Sequence, residues 1–205
     1  VQQRGERKLA ETGRARPRRK TRREANENKR CAAWKIRAKT DTQDGECSRE
    51  IREEFMKFVI QVCSESSVEV EGKIVGEIGK GAMVLVGIGQ GDTDEIADKM
   101  VKKLLGLRIY PDAAGKTNLA LKDIGGSLLM ISQFTLYADC RHGNRPGFTD
   151  AADPGEANRL YEYIMAKCRE QGYTVEQGVF GADMRVRLVN EGPFTIVLDS
   201  KDVVK

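Results

Sequence analysis

Apolar and polar positions alternate in short runs through residues 56–205, and the period lengthens from two to about 3.6 at only two places. Residues 57–63 read as a first strand. Ser67-Val68-Glu69-Val70 alternates polar and apolar, Glu71-Gly72 is a turn signal, and residues 73–78 return as a hairpin partner. Gly79-Lys80-Gly81 is a second turn, and Ala82 to Ile88 is a continuous apolar strand. Asp92 or Thr93 caps a helix reaching about Leu105, with Ile96, Ala97, Met100, Val101 and Leu104 on one face. Residues 107–110 form a short strand, 111–121 a loop, and 127–131 a further apolar strand. An irregular stretch, 137–153, leads into a second helix over 154–171, with Pro154 in its first turn. Val175 and residues 184–189 and 194–199 supply the last strands. The pattern predicts an α+β fold, a curved sheet or open β-barrel with two main helices and no internal repeat.

Two segments 58 residues apart stand out against this background: Ser132-Gln133-Phe134-Thr135-Leu136 after one apolar strand, and Asn190-Glu191-Gly192-Pro193-Phe194-Thr195 between two others. Both place small polar groups beside loop formers. Such equipment suits recognition by backbone groups and hydroxyls better than acid–base chemistry. Ser132 and Thr135 are nucleophile types, but no His or Lys within the motif can activate them. Hydrogen-bonding roles for Ser132 and Gln133 at a loop mouth, or hydroxyls that satisfy a buried strand end, stay open. Asn190 and Thr195 can fix a loop by bonding its backbone, so Gly192-Pro193 is either an ordinary turn or a functional loop.

Charge divides the chain. Its net charge is +4, yet residues 1–55 hold 17 Lys/Arg against 10 Asp/Glu, and residues 56–205 hold 18 against 21. The head lacks periodicity before about Ala32 and reads as a basic, disordered extension ahead of one domain at 56–205. An RNA-touching arm, a targeting peptide and an upstream extension without a role are the three readings of that head; Met56 opens a strand pattern at once and makes a natural start. No secretory or membrane-spanning segment is legible. Cys31, Cys47, Cys63, Cys140 and Cys168 form no CxxC pair, which points to reduced thiols and a cytoplasmic location. With one histidine and scattered cysteines, neither a metal site nor a cofactor is expected.

Gly87-Ile88-Gly89-Gln90-Gly91 has GxGxG rather than GxGxxG spacing, so a glycine-rich turn is favoured over a nucleotide loop. His142 reads as a solvated loop residue. Arg141 and Arg145 in the same loop are candidate contacts for a phosphate backbone, weighed against a plain charged surface.

The two segments resemble the two signature motifs of the D-aminoacyl-tRNA deacylase family. Residues 56–61, Tyr137-Ala138-Asp139, Arg145-Pro146 and residues 180–184 agree in order and spacing, so the resemblance covers 56–200. It implies a homodimer with active sites at the subunit interface, and aminoacyl-tRNA as substrate. It further implies a cis Gly192-Pro193 that reaches into the partner's pocket, so that L side chains are excluded while D-amino acids and glycine are admitted. Ser132, Gln133, Phe134 and Thr135 would line the scissile ester, backbone N–H groups would form an oxyanion hole, and the terminal ribose would contribute its own 2′-OH. One departure stands out: Val62 follows Gln61 where the family usually has Arg, as in a related branch with relaxed chirality. Gly147 replaces a common Ser. A non-catalytic RNA-binding module and a relaxed-chirality editor are the alternative functions.

Overall fold

The computed structural model describes residues 56–203; the basic head at 1–55 lies outside them. β1 (Lys57–Val70) is longer than its sequence pattern predicts, because Ser66 is buried and donates its hydroxyl to the Arg187 carbonyl (2.9 Å), so the polar run at 64–67 continues the strand. Glu71 and Gly72, both at positive φ, turn it into β2 (Lys73–Ile78). β3 (Gly81–Gly87) follows, then α1 (Asp94–Leu105), whose N-cap Thr93 accepts from the Ile96 N–H. β4 (Arg108–Pro111), the short strand expected there, pairs with β5 (Thr117–Ala120), which lies in the stretch expected to be loop. β6 (Ser127–Ser132), a 3-10 turn at Phe134–Tyr137, α2 (Pro154–Glu170), β7 (Val175–Gln177), β8 (Arg185–Asp199) and α3 (Ser200–Val203) complete the described chain.

The main sheet runs β2-β1-β3-β6-β7, with β8 against β1. β3–β6 and β6–β7 are parallel, the other pairs antiparallel. The sheet curls until its ends meet: a Cβ on Gly76 of β2 would stand 2.7 Å from the Gln177 carbonyl oxygen of β7. This is the near-closed barrel sheet and the two main helices that the hydrophobic pattern predicts. Strand alternation then sends side chains to two cores. Val84, Val86, Leu128 and Met130 face α1 and α2, where Met100, Leu160 and Ile164 are buried. Met83, Leu129, Ile131 and Val68 fill the inside of the curl. Each such side chain contributes about 1.5–3 kcal/mol of burial. Among the described residues, no helix is long and apolar enough to cross a membrane.

Candidate active site

The first motif ends β6. Ser132 pairs with Val86 of β3, and the Gln133 N–H donates to the Val86 carbonyl (2.8 Å), which closes the parallel ladder. The chain then tightens into the 3-10 turn through Leu136 N–H to Gln133 O (3.3 Å) and Ala138 N–H to Thr135 O (3.1 Å). The Gln133 side-chain amide donates to Thr135 Oγ1. Tyr137 is 3% exposed and anchors the turn. Its ring and Leu136 lie so close to β3 that a Cβ on Gly87 would come within 3.1 Å of Leu136, and one on Gly89 within 3.0 Å of Tyr137. The GxG spacing therefore serves close packing under the motif, and the turn before the helix falls at Gly91, which has positive φ. Phe134, 43% exposed, meets Phe148 edge to face at 5.1 Å.

The second motif is an excursion within β8 rather than a break between two strands. Thr195 pairs with Gln61 and Asn190 with Cys63, so residues 191–194 oppose the single residue Val62. Asn190 closes the neck. Its Oδ1 accepts from the Phe194 N–H (2.9 Å) and its Nδ2 donates to Thr195 Oγ1 (3.2 Å). At the tip the Gly192-Pro193 peptide is cis, and Gly192 sits at φ 118, a region open chiefly to glycine. Gly192 and Pro193 are exposed, while Val62 behind them is buried.

The structure gathers each motif but keeps the two apart. β8, β1, β3 and β6 lie in that order, so three strand spacings separate the motifs. Ser132 is level with Phe58, four residues along β1 from Val62. At about 4.8 Å per strand and 3.3 Å per residue, the separation is roughly 15–20 Å over the sheet.

Arg141 and Arg145 lie in an exposed loop, 140–146, whose neck is closed by mutual backbone bonds of Asp139 and Gly147 (2.8 and 2.9 Å). Arg141 folds back onto Asp139 through Nε (2.7 Å) and Nη2. Arg145 and His142 are exposed. Between this loop and the 3-10 turn runs a cleft of about 530 Å³, lined by Leu136, Tyr137, Asp139, Arg141, Asp150 and Lys57 among others. Lys57 holds its ammonium over the Tyr137 ring, 4.6 Å from the centroid. Among the described residues, no three His, Cys, Asp or Glu are grouped to hold a metal ion.

One buried carboxylate supports the glycine turn. Asp92 accepts from the Met56 N–H (2.9 Å) and the Gly89 N–H (2.7 Å), tying the start of β1 to the residue under Tyr137. Burial pushes its pKa up to about 6, against the lowering effect of those two N–H groups.

The family model described as D-Tyr-tRNA(Tyr) deacylase matches residues 59–199, a span that holds both motifs. The chain belongs to the D-aminoacyl-tRNA deacylase family. Proteins named D-aminoacyl-tRNA deacylase from Thermosipho melanesiensis and Pectobacterium atrosepticum are each 51% identical to it. These alignments cover 72% and 71% of this chain and 99% and 100% of those relatives. A solved structure titled c-Myc DNA Unwinding Element Binding Protein shares 36% identity with a TM-score of 0.66, over 69% of this chain and 97% of that one. Another, of a probable eukaryotic D-amino acid tRNA deacylase, has a TM-score of 0.62 at 20% identity and shows the same fold. Membership in the deacylase family makes this chain a hydrolase that works on aminoacyl-tRNA, and favours that reading over a non-catalytic binding module. Sequence reasoning did not anticipate that Lys57 rests on the Tyr137 ring or that Asp92 is buried against the Met56 and Gly89 N–H groups. Tyr137 had a signal in the paired glycines at 87 and 89, but only the fold brings these elements together.

Proposed function

We propose that this protein hydrolyses the ester of D-aminoacyl-tRNA, and of glycine mischarged on tRNA, at two equivalent sites that each join the first motif of one subunit to the Gly192-Pro193 excursion of its partner. The observation that carries this reading is the separation of the motifs within one chain. Two further features support it. Among the described residues β8 has a strand partner on one edge only, and Val189 (50% exposed) and Val197 (68%) flank the excursion with apolar surface that a two-fold related copy would cover.

The chemistry follows from the groups at the turn. The Gln133 N–H is committed to Val86, so it is not the donor for a developing oxyanion. The Thr135 N–H opens the 3-10 turn, which offers it no carbonyl, and so it faces the ester oxygen in this reading. Gln133 acts through its side chain, which fixes Thr135. Among the described residues no base bonds the Ser132 hydroxyl, which fits a role in lining the pocket and leaves proton transfer to the substrate's 2′-OH and water. Gly192 and Pro193 supply backbone carbonyls to the amino group and leave no space for an L side chain. Asn190 and Thr195 hold them there. Rejection by exclusion needs a rigid wall, and the two Asn190 bonds provide it. Arg145, on the exposed loop, meets the tRNA backbone.

The test is deacylation of matched D-Tyr-tRNA, L-Tyr-tRNA and Gly-tRNA by the full chain. Loss of the D and Gly substrates with L-Tyr-tRNA intact is the expected result. Survival of D-Tyr-tRNA contradicts the substrate assignment. Cleavage of L-Tyr-tRNA favours a relaxed editor, the reading motivated by Val62.

A further inference from the structure

The cleft beside the 3-10 turn contains an uncommitted cation. Lys57 makes no ion pair among the described residues. Asp199, its cross-strand neighbour, is taken by Lys201 at 3.3 Å. The lysine is nevertheless positioned, because its ammonium rests over the Tyr137 ring at 4.6 Å. Across the cleft, Arg141 spends Nε and Nη2 on Asp139 and leaves Nη1 without a hydrogen bond among the described residues, with the side chain 50% exposed. Asp139 thus orients the fork as well as offsetting its charge. Asp150 is the other acid of the wall and accepts from the Thr149 hydroxyl at 3.2 Å. The Tyr137 ring is buried beneath Lys57, so the cleft presents no open aromatic face for a base to stack on. It presents two cationic donors from different parts of the chain, in a cleft that Leu136, the last residue of the first motif, also lines.

We propose that this cleft binds a phosphodiester of the tRNA acceptor strand, held by Lys57 and the free edge of Arg141, away from the scissile ester. The proposal rests on the deacylase reading and adds a positioning contact to it. A lysine acts on phosphate as a point charge and an arginine as a directed fork, so the pair fixes both the strand's presence and its register. Such contacts carry no sequence information and apply equally to D-aminoacyl-tRNAs of any identity. Because the cations lie beside the turn, a phosphate held there sets the reach of the 3′ end into the site. Lys57 and Arg141 are positioning residues and touch no reacting atom.

Steady-state deacylation of D-Tyr-tRNA by full-length Lys57→Gln, Arg141→Gln and Lys57→Arg tests this, with Lys99→Gln on the exposed face of α1 as the charge control. Thermal melting checks that each variant is folded. The two Gln variants are expected to raise KM about 5- to 20-fold with kcat within about twofold. Each should lower the salt slope of log(kcat/KM) by roughly one, the signature of a lost phosphate contact. Lys57→Arg keeps the wild-type KM, and Lys99→Gln changes neither quantity. Wild-type KM and salt slope in Lys57→Gln would overturn the proposal. So would a fall in kcat at constant KM, which would make Lys57 a packing support for Tyr137. If the wild-type chain leaves D-Tyr-tRNA intact, the deacylase reading fails by itself. The cleft is then decided by fluorescence anisotropy with uncharged tRNA, where the same two Gln variants must weaken binding.

Discussion

Asn190 concentrates the side-chain hydrogen bonds of the second motif in one residue. It accepts from Phe194 and donates to Thr195, two bonds worth about 1 kcal/mol each. Asn190→Ala is expected to lower kcat/KM on D-Tyr-tRNA by roughly tenfold or more with little change in melting temperature, since the excursion is exposed. A global loss of stability with unchanged kinetics would remove Asn190 from the filter. Ser132→Ala is expected to cost less than about tenfold in kcat if the substrate's 2′-OH moves the proton, and complete loss would make Ser132 the nucleophile. Asp92 supplies a pH signature. Its pKa rises on folding to about 6, so the folded state binds the proton more tightly than the unfolded chain. Its contribution therefore favours folding below about pH 4, and this advantage is lost as pH rises through about 6. The span is on the order of 3 kcal/mol, because the residue is 6% exposed and little screened by solvent. Urea unfolding between pH 4 and 7 should show that decline in wild type and not in Asp92→Asn; parallel profiles would contradict the assignment.

At the scale of elements, the first motif depends on β3 as much as on its own residues. Gly89→Ala would place a methyl about 3.0 Å from a Tyr137 ring that is itself buried, so the turn must shift by a few tenths of an ångström. The expected outcome is a several-fold fall in kcat with a modest loss of stability, read by deacylation and melting together; unaltered kinetics would show that the turn tolerates displacement. Gly81→Ala differs in kind. Its Cβ would lie 1.9 Å from the Ser127 carbonyl oxygen, so the β3–β6 pairing and the fold should both fail. Most of these elements were legible in the chain's hydrophobic pattern, including both main helices and the continuous apolar runs that build β3 and β6. The parts that were not legible have physical reasons. Ser66 hides the continuity of β1 because a polar side chain can be buried once Arg187 accepts its hydroxyl. β5 is a strand because Arg108 and Asp112 hold Asn118, a contact with no apolar signature. The 190–195 segment read as a loop between strands because its glycine and proline mask a register that resumes on both sides of Val62.

At the scale of the molecule, sequence identified both motifs but could not place them, since parallel pairing and a curled sheet are set by contacts remote in sequence. Val62 belongs to this scale, because it lies behind an excursion that in this account serves the neighbouring subunit. Val62→Arg should change the ratio of D to L hydrolysis, and an unchanged ratio would discard the relaxed-editor alternative. The central claim is that each site is shared, and subunit complementation tests it most directly. One variant carries Gln133→Ala with Thr135→Ala, and the other lacks Gly192 and Pro193; each is confirmed folded and inactive alone. After co-refolding, a mixed dimer contains one site with both defects and one with none. Random pairing then predicts recovery of D-Tyr-tRNA hydrolysis to about a quarter of the wild-type rate. Activity that stays at zero across all mixing ratios, with mixed dimers demonstrably present, would contradict a site built from two chains.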